Sequence, residues 1–323
     1  MNRKRINKRV FCLFVSVSLL FACSGNTAVA NQPENLIFTQ EDSLIANSLP
    51  NVTIEQSVMI PALPKEASFA DEPVPLEFFD VYESLEREMI TICYWHSSLT
   101  YIVQLSGRYQ KMIEDILIEE GLHKDFFYLC VAESMLQPSS SPANAQGYWQ
   151  FLEGTAKDFG LEVSEQVDER YNWEKSTRAA AKYFKKAYEK YGTWTLAAAS
   201  YNIGMANINN RIAYQSINNY YDMQLPPETA RYVYRAIAFK IIMNNLSDYG
   251  FKIAGEHKYK PLECNKVNVS TPVANWSEFA AAHGTNFKML KMMNEWIRSN
   301  KLDNKLRKTY TVLVPDSNFR NRK

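Results

Sequence analysis

Residues 126–136 read FFYLCVAESML, an almost wholly apolar run in which Glu133 is the only carboxylic acid. A run of this composition is typical of a buried segment, so Glu133 is predicted to lie against an apolar wall. Burial disfavours the charged carboxylate and raises its pKa toward values at which the acid donates a proton at neutral pH. Glu133 is therefore the candidate catalytic acid. The alternative, a helix-end glutamate that reaches water or pairs with Lys124, is the one that this run alone favours.

The sequence on both sides of this run has helical periodicity, from residue 78 to about residue 246. Ile113, Ile116 and Leu117 follow the i, i+3, i+4 spacing of one buried helix face. Gly121 is placed to end that helix, because glycine adopts the left-handed conformation that helix ends require.

Two further helices are indicated by their start signals. One begins near Ser176 and Thr177, either of which can cap a helix. Another begins at residues 226–228, where two prolines and a glutamate suit a first helical turn, and runs to about Asn245. No alternating strand pattern of any length interrupts this region, so residues 78–250 are predicted to form one mainly α domain.

The C-terminal region has a different pattern. Short alternating runs at residues 267–269 and 310–313 flank helix-like stretches around residues 279–282 and 289–296. Strand, helix, helix and strand in that order predict a small α+β module over residues 266–316, separate from the helical domain.

Composition restricts the possible functions. The chain has 323 residues, 46% of them hydrophobic and 22% charged, which is enough for two folded units. Its 36 Lys and Arg nearly balance its 35 Asp and Glu, so no strong positive field exists and nucleic acid is not an expected partner. The histidines are scattered singly, and Cys93, Cys130 and Cys264 are irregularly spaced. Neither a metal site nor a cofactor is expected.

The first residues have the pattern of an export signal. Basic residues within positions 3–9 precede an apolar run from Val10 to Ala22, which is short for a permanent membrane helix. The run ends in LFAC at residues 20–23, which resembles a bacterial lipoprotein cleavage box. The resemblance implies that residues 1–22 are removed and that Cys23 carries a lipid anchor. The alternative is ordinary secretion with Cys23 removed.

Residues 23–77 are predicted to be a flexible tether, because they are polar, rich in proline and poor in aromatic residues. With a lipid on Cys23, the protein is expected to be exported and anchored in a membrane facing the periplasm. The outer membrane is the expected one.

Several motifs, in one order and at consistent spacings, resemble the family-one lytic transglycosylases, which have a goose-type lysozyme fold. The motifs downstream of the apolar run are ES at 133–134, SPANAQGYWQF at 141–151, TAKDFGL at 155–161, DER at 168–170, YNIG at 201–204 and ETARYV at 228–233. Upstream, SGRY at 106–109 and IEDIL at 113–117 look like the membrane-bound lytic murein transglycosylase D type. The resemblance covers about residues 80–246 and implies a lysozyme-like α-helical catalytic domain.

The resemblance also implies roles for individual residues. Glu133 matches the single catalytic acid and base of the family. The residues that match substrate-binding positions are Ser134, Ser141, Gln150, Tyr201, Asn202 and Tyr232, the last of which faces the catalytic carboxyl. The alternatives are that Gln150 only caps a loop and that Tyr201 belongs to the core. Tyr148 is a departure, since its position is more often aliphatic.

The implied reaction cleaves the β-1,4 bond between N-acetylmuramic acid and N-acetylglucosamine in peptidoglycan strands. Glu133 protonates the glycosidic oxygen, the substrate's N-acetyl group stabilises the cationic centre, and the muramic acid 6-hydroxyl closes a 1,6-anhydro ring. The first alternative is a hydrolytic muramidase, which needs a second carboxylate about 5–9.5 Å away. The second is a non-catalytic peptidoglycan-binding lipoprotein.

The C-terminal module is similar to a degenerate LysM glycan-binding module, through residues such as Phe279, Leu290, Asn294 and Tyr310. The resemblance implies that this module binds peptidoglycan. The alternative is a packing domain without affinity for glycan.

Overall fold

The computed structural model describes residues 59–315 and 319–321. The expected signal peptide, Cys23 and most of the expected tether lie outside these residues. In the described part of the chain, no helix has the combination of length and hydrophobicity that a bilayer crossing requires.

The described residues are mainly helical, as predicted, and three pairs of short strands accompany the helices. The helices are α1 (Phe79–Cys93), α2 (His96–Glu119), α3 (Phe127–Ser134), α4 (Glu153–Asp158), α5 (Trp173–Tyr191), α6 (Trp194–Ile203), α7 (Met205–Gln215), α8 (Pro227–Asn244), α9 (Trp276–Ala282) and α10 (Phe287–Met293). The strands are β1 (Ser68–Phe69), β2 (Glu72–Pro73), β3 (Ser139–Ser140), β4 (Gln146–Gly147), β5 (Asn265–Val269) and β6 (Tyr310–Val314). All strand pairs are antiparallel.

Helix α8 is the central packing element of the helical domain, because it contacts α1, α3 and α6. It begins at Pro227, as the sequence predicts, and its buried face includes Val233, Ala236 and Ile237. Alanines on α8 and on α6 leave room for neighbouring helices to approach closely. The buried helix α3 is thereby fixed from one side by α8.

The start of α5 differs from the prediction. The helix begins at Trp173, and the side chain of Asn172 caps it by accepting a hydrogen bond from Lys175 N at 3.0 Å. Ser176 and Thr177 lie inside the helix and are fully buried. Their hydroxyls donate to backbone carbonyls one turn earlier, which satisfies both groups without a cap role.

The ordered domain begins before the predicted boundary at residue 78. Strands β1 and β2 form a small hairpin whose Phe69 is completely buried and lies 5.3 Å, centroid to centroid, from Phe126. The carboxylate of Glu72 accepts hydrogen bonds from Trp194 N at 2.6 Å and Thr195 N at 3.0 Å, at the start of α6. The predicted tether is therefore too long at its C-terminal end, because one buried aromatic residue and one capping carboxylate outweigh the polar composition.

The C-terminal module has the predicted order of strand, helix, helix and strand. Strand β5 pairs with β6 so that Val267 lies opposite Val312. Trp276, Leu290 and Val312 form its completely buried core.

This module is not separate from the helical domain. Val167 of the helical domain belongs to the module's hydrophobic core and forms a β-bridge with Ile297. Asp168 N donates to Trp296 O at 2.9 Å beside that bridge. The expectation of a separate unit is thus corrected.

Candidate active site

Glu133 lies near the C-terminal end of α3, a helix whose other side chains are almost all buried. The helix is preceded by a 3₁₀ turn in which the His123 imidazole accepts a hydrogen bond from Asp125 N at 3.1 Å. It ends abruptly, because Met135 and Leu136 both adopt left-handed φ angles, 54° and 58°. Such angles are strained for bulky residues and are concentrated at functional sites.

The carboxyl of Glu133 has one close partner among the described residues. Its Oε1 accepts a hydrogen bond from the Tyr232 hydroxyl at 2.7 Å, and it forms no ion pair with Lys124. Tyr232 is buried on α8, which faces α3. The structure therefore brings together two residues that are 99 positions apart in the sequence.

Burial raises the pKa of Glu133 to about 7. The hydrogen bond from Tyr232 and the charge of Arg235 oppose this rise, while the charge of Glu228 adds to it. Desolvation is the largest of these effects, so a substantial fraction of Glu133 is protonated at neutral pH. A carboxyl with such a pKa can donate a proton and take one up again.

Helix α8 is held in place by a buried carboxylate that the sequence analysis did not single out. Glu88 on α1 is 1% exposed and accepts a hydrogen bond from Arg231 Nε at 2.6 Å. Arg235 Nε lies 3.5 Å from the other oxygen of Glu88. A buried carboxylate that loses its partners is costly, so these ion pairs fix the helix that carries Tyr232. An ordinary glutamate in a helical pattern gives no signal of this role.

Ser141 begins the turn that joins β3 to β4. Its backbone N donates to Ala145 O at 2.9 Å, and its Oγ accepts from Ala145 N at 3.0 Å. Accepting a hydrogen bond leaves the O–H of Ser141 available as a donor. Ser141 is partly exposed, which a substrate contact would require.

Gln150 braces the same turn. Its amide Nε2 donates to Ser139 O at 3.0 Å and to Gly147 O at 2.7 Å, and its backbone has a left-handed φ of 49°. Both amide protons are used inside the protein, so the carbonyl Oε1 is the group that remains for a ligand.

The other predicted substrate-binding residues make contacts within the protein. The Tyr201 hydroxyl donates to Trp149 O at 2.7 Å, and its ring lies 5.5 Å from that of Phe151. Asn202 Oδ1 accepts from the Thr229 hydroxyl at 2.7 Å. Ser134 is buried and donates to Cys130 O at 3.3 Å. These contacts hold α6, α8 and the segment around Trp149 together.

The DER motif at residues 168–170 has a structural role that the sequence did not reveal. Arg170 pairs with Asp168 at 2.7 Å and donates to Phe151 O at 3.2 Å. Gly147, with φ of 81°, packs so closely against this turn that a Cβ atom would lie 1.9 Å from Arg170 O. The turn therefore fixes the segment that carries Gln150.

The two acidic residues nearest in sequence to this segment are not placed for catalysis. Glu153 and Asp158 are exposed on α4, and Glu153 pairs with Lys157 at 2.6 Å. Within the part of the chain that the structure describes, no three His, Cys, Asp or Glu side chains are grouped closely enough to hold a metal ion.

Comparison with known proteins gives matches to two domain families. Residues 115–224 match the transglycosylase SLT domain, and residues 265–318 match the soluble lytic transglycosylase C-terminal LysM-like domain. Two curated relatives from Escherichia coli, strains K12 and O6:H1, are both named membrane-bound lytic murein transglycosylase D, and each is 27% identical over 208 residues. These alignments cover 62% of this chain and 44% of each relative, so the chain spans less than half the length of the curated relatives it matches.

Proposed function

We propose that this chain cleaves the glycan strands of bacterial peptidoglycan, because residues 115–224 match the transglycosylase SLT domain and residues 265–318 match the soluble lytic transglycosylase C-terminal LysM-like domain. The bond cleaved is the β-1,4 bond between N-acetylmuramic acid and N-acetylglucosamine. The product carries 1,6-anhydromuramic acid.

Glu133 supplies both proton transfers of this reaction. Its protonated form donates to the glycosidic oxygen as the bond to the muramic acid C1 breaks. The substrate's N-acetyl oxygen stabilises the positive charge at C1. The Glu133 carboxylate then takes the proton of the 6-hydroxyl as that oxygen bonds to C1, which restores the acid and uses no water.

The hydrogen bond between Tyr232 and Glu133 is the observation that carries the proposal. It holds the carboxyl in a desolvated position where its pKa is about 7, which suits a group that acts as acid and then as base. A non-catalytic scaffold has no need of a carboxyl kept in this state.

A hydrolytic muramidase is the second candidate, because it would cleave the same bond. It requires a carboxylate that activates water on the opposite face of the sugar. Glu228 is close enough to raise the pKa of Glu133, but Arg235 pairs with it at 3.0 Å. Because the acidic side chain that acts on Glu133 is already paired, ring closure is favoured over hydrolysis.

The mass of the released muropeptides tests the proposal. Ring closure gives products one water lighter than hydrolysis does, and the products have no reducing end for borohydride to reduce. Anhydro products from purified sacculi are expected. Reducible products would instead identify a hydrolase, and no products from folded protein would identify a scaffold.

We also propose that Cys23 carries the lipid that anchors the enzyme to a membrane on its periplasmic side, with the outer membrane as the expected one. Support comes from the basic, apolar and cysteine pattern at residues 3–23 and from the word membrane-bound in the relatives' name. The anchor places the active site where peptidoglycan lies.

The role of the remaining site residues follows from the same proposal. Ser141 and Gln150 present a hydroxyl and an amide carbonyl to the glycan. Tyr201, Asn202 and Ser134 act mainly by holding the surrounding segments in position, since the hydroxyls of Tyr201 and Ser134 and the Oδ1 of Asn202 already have partners within the protein.

A further inference from the structure

We propose that the C-terminal module forms a fixed wall of the substrate-binding surface, and that the groove between it and the catalytic domain binds the glycan strand beyond the bond that is cleaved. This interdomain groove is lined by Tyr101, Tyr109, Tyr171 and Trp173 of the catalytic domain and by Met292 and Trp296 of the module. The inference rests on the proposed function, because it assigns a further part of the same substrate.

The module is held to the catalytic domain by backbone contacts that a loosely linked domain would not make. Asp168 N donates to Trp296 O, and Arg298 N donates to Gln166 O, both at 2.9 Å. Val167 lies between these bonds and is 1% exposed within the module's core. Backbone pairing around a buried side chain fixes both position and orientation.

Side chains reinforce the same interface. The amide of Gln166 donates to Asp303 Oδ2 at 2.7 Å and accepts from Asp303 N at 2.8 Å. Glu162 accepts from Lys308 at 2.8 Å and from the Tyr310 hydroxyl at 3.0 Å. The module therefore cannot tilt away from the groove without losing several hydrogen bonds together.

One contact connects the module directly to the active-site segment. The Tyr148 hydroxyl donates to Glu295 Oε2 at 2.9 Å, and Tyr148 O accepts from the Cys130 thiol at 3.5 Å, one helical turn before Glu133. The other carboxylate oxygen of Glu295 accepts no hydrogen bond within residues 59–315, although Glu295 lines the groove. That oxygen is available to a sugar hydroxyl.

The groove has the size and position to hold part of a polymer. Its volume is about 1160 Å³, compared with roughly 300–1,000 Å³ for pockets that hold drug-sized ligands. Leu136 and Pro138 line it, and Leu136 follows Glu133 by three residues, which limits their Cα atoms to about 11 Å apart. The groove therefore reaches the segment that directly follows Glu133.

The lining suits amino-sugar rings, which have apolar faces and polar edges. Tyr101 is 40% exposed, and Tyr109, Tyr171 and Trp173 are partly exposed in the same lining. Trp296 stacks on Tyr310 behind them, in the buried core of the module. Flat aromatic side chains with polar tips can cover a sugar face and bond its edge.

Most cations of the groove already have partners within the protein. Lys175 pairs with Glu169, Arg178 pairs with Glu120 at 3.1 Å, and Arg108 Nε donates to Lys260 O at 3.3 Å. Of the four cations in the lining, Lys266 alone has no side-chain partner within residues 59–315. This favours the glycan over the carboxylates of a peptide stem as the ligand.

A binding experiment in the Glu133→Gln background tests the inference without cleavage of the ligand. The double variant Tyr101→Ser and Met292→Ser removes exposed apolar surface from both walls. Its control, Ile118→Ser and Leu306→Ser, removes exposed apolar surface from the same helix α2 and the same module, outside the groove. Affinity is measured by calorimetry for a tetrasaccharide and for strands several times longer, both freed of peptide stems, and for long strands that keep their peptide stems.

The groove variant is expected to bind the long strands about fivefold more weakly, to bind the tetrasaccharide as its parent does, and to melt at the parent temperature. The control variant should match the parent throughout. Unchanged affinity for long strands, or an equal loss for both lengths, would overturn the inference. A loss confined to strands that keep their peptides would assign the groove to the peptide stem and also overturn it. Failure of the proposed function is a separate result, since it is read from the products of the unmodified enzyme.

Discussion

Tyr232 on α8 donates a hydrogen bond to Glu133 on α3 at 2.7 Å, and this bond opposes the effect of burial on the same carboxyl. Burial favours the neutral acid, whereas a donor directed at the carboxyl favours the carboxylate. The pKa of about 7 is the balance between them. A small change in the surroundings of Glu133 is therefore enough to favour either of the two proton transfers proposed for it.

Replacing Tyr232 with Phe should move this balance in a known direction. Loss of the Tyr232 hydroxyl raises the pKa of Glu133 further, because the hydrogen bond that stabilises the carboxylate is removed. Activity requires the protonated acid, so it is present below this pKa and is lost as pH rises through it. In a profile of kcat/KM against pH, the alkaline limb should move to higher pH, and the maximum should fall about tenfold. A limb that moves to lower pH would contradict the assignment.

The matched control for that profile is Tyr214→Phe, which also removes one tyrosine hydroxyl. Tyr214 lies on α7 and is 90% exposed, outside the groove and away from the groups that act on Glu133. This variant should leave the limb in place.

Glu133→Gln should leave the protein folded and reduce the release of soluble muropeptides from sacculi by about 10²–10⁴-fold, because the amide cannot exchange the proton. Thermal melting followed by circular dichroism checks the fold. Glu153→Gln, at an exposed position on α4, serves as the control and should retain wild-type turnover. Wild-type turnover in the Glu133 variant would refute its catalytic role.

The two glycines near the active-site turn should respond oppositely to alanine. At Gly147 the new Cβ meets Arg170 O at 1.9 Å and φ is 81°, so Gly147→Ala should lower the free energy of unfolding by about 2 kcal/mol or more. Gly154 lies in α4 with no atom within 4 Å of the new Cβ, and alanine there should stabilise by about 0.5–1 kcal/mol. Urea unfolding measures both. Equal effects would mean that the close approach at Arg170 is relieved by a shift of the turn.

The β1–β2 hairpin before α1 should contribute to stability, even though the composition of this segment predicts a flexible tether. Phe69→Ala removes a completely buried ring and should cost about 3–5 kcal/mol in urea unfolding. Ile60→Ala, at a side chain that is 75% exposed in the same segment, should change little. Similar small effects for both variants would support the original boundary at residue 78.

Cys23→Ala should release the exported protein from the membrane fraction, since the proposed lipid would have no attachment site. Fractionation after a salt wash, followed by immunoblotting, measures this. Cys264→Ala is a control that should stay with the membrane. Retention of the Cys23 variant would refute the lipid anchor.

Local patterns in the sequence predicted what depends on local structure. The apolar run predicted the buried segment that forms α3, whereas the family resemblance was needed to single out Glu133. Periodicity predicted α2, and the two prolines followed by a glutamate predicted the first turn of α8. The start of α5 was misplaced because serine and threonine can bond to the preceding turn as readily as they cap a helix.

Contacts between distant segments were not predictable in this way. The bridge between Val167 and Ile297 is a single pairing without a repeated pattern, so the sequence suggested a separate module. Likewise, no spacing rule predicts that Gln150 donates both amide protons to carbonyls of its own loop, or that the Tyr201 hydroxyl donates to Trp149 O.

The position of Val167 limits how this chain could exchange its C-terminal module during evolution. A gene fusion that replaced everything after residue 264 with an unrelated binding module would leave Val167 and its neighbouring backbone groups facing water, while the departing module would lack part of its own core. A viable exchange must therefore include residues 162–168 as well, although they lie in the middle of the catalytic domain. In this protein, the two domains would therefore have to be exchanged together.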